Sequence, residues 1–200
     1  MWRVVSLLED GRKLLDGDGV AIISADYVEP WPTEVLDELR ELAAGPVMRS
    51  CLIVGAHIGE PVIALAGMCG DVRTYEPNPA NCYLLMENLE LNGVRATVRC
   101  EAVSSADGRY AMHIDGSDVR VERVGANRVL NGRIDLAMLA CPECDEAASS
   151  LGCEALSLVG RYIFRTGSRL GNRLESCGFQ IRKASMESLA VGPRATFKRR

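Results

Sequence analysis

Two glycines in the short stretch "VGAHIGE" are the first residues of this sequence with a recognisable chemical use. Gly55 and Gly59 separate an apolar run that ends at Val54 from an apolar segment with helical spacing. Glycines at such a junction let a ligand approach the backbone, and free N–H groups at the start of a helix suit polar or anionic groups. A tight turn without a ligand is the alternative, because two glycines at this spacing often occur by chance.

A carboxylate follows the glycines at a functional spacing. Glu76 ends the apolar segment "VRTYEP", and Pro77 directly after it stops the predicted strand. A carboxylate about twenty residues beyond such a turn accepts hydrogen bonds from the ribose hydroxyls of an adenosine-containing ligand. The order of glycine turn and acid therefore predicts a ligand of this kind.

The cysteine pair in "CPEC" allows three interpretations. Cys141 and Cys144 have the spacing of a redox pair, but a thioredoxin-like fold would place that pair in a βαβ unit near the N-terminus. A zinc site would need Cys153 and Cys177 as further ligands, at a spacing that is not typical of zinc motifs. We favour a structural disulfide or buried thiols. One or two disulfides are expected among the eight cysteines, and their connectivity cannot be read from the sequence.

The predicted secondary structure around these residues alternates between strands and helices. Residues 1–30 predict short strands in a hairpin with Asp-Gly turns, and residues 31–45 predict a helix. Later strands are predicted at 50–55, 71–76, 96–103, 109–115, 119–124, 133–141, 154–160, 179–185 and 194–200. Later helices are predicted at 60–69, 78–92, 144–152 and 170–178. Continuous apolar strands between helices imply a parallel sheet that is covered on both faces.

Three segments of this chain resemble the FkbM family of S-adenosylmethionine-dependent methyltransferases: "VGAHIG", "YEPNPANCYLLMENLELNGV" and "CEAVSSADG". The resemblance is strong over residues 27–115 and weaker afterwards. It implies an α/β, Rossmann-like class I methyltransferase fold, with a mostly parallel seven-stranded sheet, helices on both faces and an antiparallel last strand. Residues 1–48 would form a hairpin and helix extension, and residues 49–200 the cofactor-binding domain.

The resemblance also implies where S-adenosylmethionine binds. Its methionine part would be surrounded by Gly55, Ala56, His57 and Gly59, and its ribose would be held by Glu76. The adenine would be flanked by Pro77 and Asn78, with Glu101 and Ala102 near its edge. Two positions depart from the family pattern, because Ile53 replaces an acid that helps to position the cofactor and His57 replaces an asparagine.

The acceptor side departs further from the family pattern. Ala140 and Pro142 stand where the family has acids at the end of the fourth core strand. Methyl transfer needs a general base only if the acceptor must lose a proton. Glu143 and Asp145 are the candidate bases, with a solvated helix N-terminus as their alternative role. The favoured acceptor is a hydroxyl of a small molecule or sugar, and no metal is expected.

Two other functions remain open. An RNA methyltransferase is possible if Arg161, Arg165, Arg169 and Arg173, which recur at every fourth position, line one helix face. A degenerate domain that acts as a scaffold is the second alternative, because Ile53 and the altered strand end could abolish catalysis.

Composition limits these choices. The formal net charge is −4, so the chain carries no global basic field that would attract nucleic acid or a membrane surface. The first 28 residues include acids and lack the apolar core of a secretory signal, which predicts a cytoplasmic protein. A single glutamine suggests a heat-adapted source, provided that the cysteines are paired.

Overall fold

The structure is a computed structural model, and it describes residues 1–17, 19–25, 28–114, 117–183 and 187–192. The strands are β1 Arg3–Leu7, β2 Lys13–Gly17, β3 Val20–Ser24, β4 Met48–Val54, β5 Cys69–Tyr75, β6 Thr97–Arg99, β7 Glu101–Ser104, β8 Gly108–Ile114, β9 Ser117–Gly125, β10 Ile134–Leu139, β11 Val159–Arg165, β12 Gln180–Lys183 and β13 Glu187–Val191. The helices are α1 Thr33–Ala43, α2 Glu60–Ala66, α3 Pro79–Leu91, α4 Ala126–Val129, α5 Pro142–Ser149, α6 Cys153–Leu156 and α7 Arg169–Ser176. The strand predicted at 194–200 lies outside the described residues.

The central sheet has the strand order β12-β13-β11-β10-β4-β5-β6. Its five strands from β11 to β6 are parallel, and β13 is antiparallel to both of its neighbours. This confirms the predicted α/β class and the parallel central sheet. The chain order reverses between β4 and β10, because β5 lies on one side of β4 and the much later β10 on the other. Such a switch point leaves a crevice beyond the carboxyl ends of the two strands, where ligands bind in open α/β sheets.

Helices cover both faces of this sheet, as the apolar strands predict. Leu52 and Val54 of β4 pack with apolar residues of α4, α5 and α7, whereas Cys51 and Ile53 pack with those of α1, α2 and α3. Alternate residues of a strand point to opposite faces, so a strand that is covered on both sides must be apolar throughout. Ile53 is therefore a core residue, fully buried beneath the crevice.

Two smaller sheets flank this core. The three N-terminal strands form an antiparallel sheet in the order β1-β2-β3, which confirms the strands predicted there. The strands β7, β9 and β8 form the other sheet, with β9 in the middle. In the described chain no helix is long and apolar enough to cross a membrane.

The strand predicted at 96–103 is interrupted, and the strand predicted at 154–160 is wrong over most of its length. Residues 96–103 form β6 and β7, which belong to different sheets, and the break falls at Cys100, which is tied to Cys82 of α3 by a disulfide. The segment 154–160 begins as the helix α6 and joins β11 only at Val159. Its alternating leucines fit either structure, and a short segment of this kind cannot be assigned by periodicity alone.

Candidate functional site

The glycine turn lies at the carboxyl end of β4. Gly55 and Ala56 both donate their backbone N–H to the carbonyl of Tyr75, at 3.0 and 3.2 Å, which ties the turn to the end of β5. Gly55, His57 and Gly59 all have positive φ, of 81°, 54° and 110°. A Cβ built at Gly59 would lie 3.2 Å from Leu85 of α3, so a glycine there permits close packing. The turn is therefore wound tightly against its neighbours.

Glu76 lies at the end of β5 and organises this turn. Its Oε2 accepts a hydrogen bond from the backbone N–H of His57 at 2.9 Å, and its Oε1 accepts one from the N–H of Asn78 at 3.0 Å. Only 6% of the residue is exposed. Burial raises the pKa of Glu76 above that of an ordinary glutamate, although the two backbone hydrogen bonds act in the opposite direction.

A second buried carboxylate, Glu60, lies beneath the same turn. Its Oε1 is 3.0 Å from Nδ1 of His57 and accepts a hydrogen bond from the backbone N–H of Trp31 at 2.9 Å. Burial would lower the pKa of His57, but the hydrogen bond and charge of Glu60, with a contribution from Glu76, raise it above the ordinary value. Glu60 is not among the site residues predicted from the sequence. The available signal was an acid at the start of an otherwise apolar helix, three residues after a histidine.

The other residues that are expected to contact the cofactor lie after Glu76, at the start of α3 and of β7. Asn78 is the N-cap of α3, and its Oδ1 accepts a hydrogen bond from the N–H of Ala80 at 3.0 Å. Pro77 is half-buried beside it. Glu101 is half-buried and Ala102 is buried, and they are the first two residues of β7, directly after the break at Cys100. Their contacts with adenine remain predictions.

The two candidate bases face different cavities. Glu143 is exposed and lines a cavity of about 200 Å³ with Tyr110 and Arg123, where burial and then the charge of Glu143 raise the pKa of Tyr110. Asp145 is buried and lines a separate cavity of about 370 Å³. Its Oδ1 accepts a hydrogen bond from the N–H of Leu170 at 3.3 Å. The structure does not bring the two carboxylates together.

All eight cysteines form disulfides, more than the one or two that the sequence led us to expect. The pairs are Cys51–Cys69, Cys82–Cys100, Cys141–Cys144 and Cys153–Cys177. The zinc alternative is wrong, because its four sulfurs are consumed in two disulfides. Among the described residues, no group of histidines, cysteines and acids could hold a metal ion.

The four arginines of the RNA alternative do not form a helix face. Arg161 and Arg165 belong to the strand β11, and only Arg169 and Arg173 belong to α7. Arg161 donates to the carbonyl of Ala43, and Arg173 donates to the carbonyl of Leu151. Two of the four therefore hold protein segments together, and the expected stripe is absent from this part of the described chain.

Comparisons with known proteins identify the fold. Neither a family model nor a curated protein sequence matches the chain. A tRNA (uracil-54, C5)-methyltransferase of Pyrococcus abyssi, in complex with S-adenosyl-L-homocysteine, matches with a TM-score of 0.55 and 11% identity, over 95% of this chain and 43% of that protein. The precorrin-6y C5,15-methyltransferase of Geobacter metallireducens matches with a TM-score of 0.54 and 13% identity, over 85% of this chain and 94% of that protein.

A third solved structure agrees with these two. The magnesium protoporphyrin IX methyltransferase of Synechocystis, with bound SAM, has a TM-score of 0.52 and 15% identity, over 80% of this chain and 77% of that protein. This chain therefore has the Rossmann-like class I fold of S-adenosylmethionine-dependent methyltransferases. The three neighbours act on different acceptors, so the fold does not specify the acceptor.

Proposed function

We propose that this protein is an S-adenosylmethionine-dependent methyltransferase of the FkbM type that holds the cofactor ribose with Glu76. The observation that carries the proposal is the place of the Glu76 carboxylate. It lies at the carboxyl end of β5, beside the glycine turn of the switch-point strand β4, and it bonds to the backbone of that turn. The FkbM-like motifs around both elements support the same assignment.

The hydrogen bonding of Glu76 fits two ribose hydroxyls. An ionised carboxylate has about four acceptor positions, two on each oxygen. One backbone N–H occupies each oxygen of Glu76, which leaves each oxygen able to accept one further hydrogen bond. Two neighbouring hydroxyls on one ring are matched to that arrangement. Glu76 accepts these bonds best while it is ionised. Because its pKa is raised, it becomes protonated at a higher pH than an exposed glutamate does, so we expect the affinity for the cofactor to fall at that higher pH on acidification.

The residues of the glycine turn and the N-cap of α3 are assigned to the rest of the cofactor. Gly55, Ala56, His57 and Gly59 would contact the methionine part through backbone and imidazole groups, and Asn78 would flank the adenine. S-adenosylmethionine, when bound, supplies a methyl group on a positively charged sulfur. The chain's own residues then have to position the acceptor in line with that methyl group and exclude water.

On the acceptor side we assign the general base to Glu143 and not to Asp145. Glu143 is accessible from its cavity, as a base must be to reach an acceptor hydroxyl. One oxygen of Asp145 is already bonded to the start of α7, so Asp145 has a positioning role. A small hydroxyl-bearing acceptor remains the favoured substrate. The arginines that would have favoured RNA are divided between a strand and a helix.

Isothermal titration with S-adenosylmethionine and S-adenosylhomocysteine tests the proposal. We expect the wild type to bind both and Glu76→Gln to bind at least about tenfold more weakly, because the variant loses charge-assisted hydrogen bonds. Glu90→Gln, at an exposed position of α3, is the matched control and should bind as the wild type does. An absence of wild-type binding at millimolar cofactor would refute the proposal. Binding without transfer to any acceptor would favour the scaffold alternative.

A further inference from the structure

The Cys141–Cys144 disulfide differs from the other three in what it joins. Cys51–Cys69 links β4 to β5, Cys82–Cys100 links α3 to the end of β6, and Cys153–Cys177 links α6 to the end of α7. These pairs are 18, 18 and 24 residues apart in sequence. The Cys141–Cys144 pair is only 3 residues apart and lies within the first turn of α5. A disulfide stabilises mainly by closing a long loop, so this one contributes least to the fold.

The two cysteines of this pair are buried to different extents. Cys144 is fully buried, whereas Cys141 is half-buried at the carboxyl end of β10. Cys141 lies at the switch-point crevice, because a Cβ built at Gly55 would lie 3.4 Å from the Cβ of Cys141. An external thiol should therefore reach Cys141 more readily than Cys144. A pair with one accessible sulfur and one protected sulfur is suited to thiol–disulfide exchange.

The start of α5 stabilises the leaving group of such an exchange. The Sγ of Cys144 accepts a hydrogen bond from the backbone N–H of Cys141 at 3.2 Å. The Sγ of Cys141 accepts a hydrogen bond in return from the backbone N–H of Cys144. These two N–H groups and the positive end of the helix dipole favour a thiolate on whichever cysteine leaves when the disulfide opens. A more stable thiolate leaves faster, and attack on Cys141 is the favoured direction because Cys141 is half-buried and Cys144 is fully buried.

We propose that Cys141 and Cys144 form a redox-active pair that exchanges with a dithiol reductant at the edge of the crevice. One thiolate of the reductant attacks the Sγ of Cys141, the bond between Cys141 and Cys144 breaks, and the electron pair goes to Cys144, which takes up a proton. The second thiol of the reductant loses its proton and attacks the mixed disulfide. This step releases Cys141 as a thiolate, which is protonated in turn. The reductant becomes a disulfide, and two electrons and two protons have moved to the cysteine pair.

Graded reduction of the native protein tests this activity without any cofactor. The folded protein is incubated with increasing dithiothreitol, quenched with iodoacetamide and analysed by peptide mass spectrometry. We expect Cys141 and Cys144 to be alkylated at a dithiothreitol concentration at least tenfold below that needed for the other six cysteines. Alkylation of all eight together, or alkylation of the pair only in denaturant, would overturn the proposal. This outcome is independent of cofactor titration, so each proposal can fail alone.

Single variants test which sulfur is attacked. Cys144→Ser leaves Cys141 as a free thiol, and Cys141→Ser leaves Cys144. We expect Cys141 to react at least tenfold faster with a chromogenic aromatic disulfide, and equal or reversed rates would contradict the proposed direction. Circular dichroism checks that both variants fold, and Cys144→Ala replaces Cys144→Ser if the buried hydroxyl prevents folding. The graded reduction of the wild type decides the proposal even if neither variant folds.

Discussion

His57 combines an unusual backbone conformation with a charged partner. Its φ of 54° lies in the left-handed region, which asparagine is among the few residues besides glycine to adopt routinely. The FkbM-like pattern has asparagine at this position, so the histidine here accepts a less favourable backbone. In return its ring reaches the buried carboxylate of Glu60 at 3.0 Å. The turn that supports Glu76 is therefore held from below by an ion pair whenever His57 is protonated.

This arrangement predicts a pH-dependent contribution to stability. Because the folded pKa of His57 is raised, its contribution is fully present below the unfolded value of about 6.5 and is lost as pH rises through the folded value. We expect His57→Asn to lower the free energy of unfolding at about pH 5.5. At about pH 9 the variant should equal or exceed the wild type, because the backbone strain is relieved. Urea unfolding of both proteins across this range measures the difference.

A double-mutant cycle identifies the partner responsible. Urea unfolding is measured across the same pH range for the wild type, His57→Asn, Glu60→Gln and the double variant. We expect His57→Asn to change the pH dependence far less in the Glu60→Gln background, because the carboxylate that offsets the burial of His57 is then gone. If His57→Asn changed the pH dependence equally in both backgrounds, the effect would belong to another group.

Glu76 and Glu60 differ in how much of their role can be predicted from the sequence. Glu76 could be predicted, because its position after the glycine turn and at the end of a strand is a local feature of the chain. The burial of Glu60 could not, because an acid in the first turn of a helix is usually solvated and favoured by the helix dipole, so its place in an apolar helix after a histidine is only a weak signal. What makes Glu60 different is the N–H of Trp31, which comes from a segment 29 residues earlier.

Side chains of α3 form hydrogen bonds with the edge of the N-terminal sheet. β3 is an edge strand of that sheet, and α3 lies beside its free edge. The amide of Asn88 accepts from the N–H of Ile23 at 2.6 Å and donates to its carbonyl at 3.0 Å, and Asn92 makes the same pair of bonds to Ala21. Residues four apart on a helix rise about 6 Å, close to the spacing of about 6.8 Å for alternate residues of a strand. Two asparagines thus take the place of a neighbouring strand.

Removal of the first of these amides should be costly. Asn88 is fully buried and also donates to the carbonyl of Ile58 at 2.8 Å, so Asn88→Ala removes the side-chain partner of one buried backbone group at Ile58 and of two part-buried groups at Ile23. We expect a loss of about 2–4 kcal/mol in the free energy of unfolding, with faster hydrogen exchange at the Ile23 amide. Asn172→Ala, at an exposed position of α7, is the control and should change stability by less than about 0.5 kcal/mol. Equal effects of the two substitutions would show that the edge contacts contribute nothing.

Local sequence patterns do not predict the contact of α3 with β3 or the break between β6 and β7. The regular asparagines and leucines of α3 were visible as a family-like pattern, but their contact with β3 depends on a strand 65 residues earlier. No glycine or proline in the sequence marks the break between β6 and β7. It depends on which sheet each half can pair with, and that is decided by strands distant in sequence.

The sheet of this molecule can be predicted from its sequence, whereas the pairing of its cysteines cannot. Alternation of strands and helices is enough to predict a parallel sheet, and the resemblance supplied the class I fold. Eight cysteines allow about a hundred pairings, and only the folded positions select among them. Three of the four bonds join different elements of the molecule, so together they act on its global stability.

The Cys153–Cys177 bond allows the sharpest test of this global role. It closes a loop that contains β11 and the whole of α7, and both cysteines are half-buried, so serine is tolerated at each position. We expect the double variant Cys153→Ser/Cys177→Ser to lose about 3 kcal/mol, which corresponds to a fall of roughly 6–12 °C in Tm. The matched variant Cys141→Ala/Cys144→Ala should lose less, since its loop is far shorter. Calorimetry without reductant measures both variants, and a larger loss from the short loop would mean that the chain entropy of the unfolded state does not govern the stability that these bonds provide.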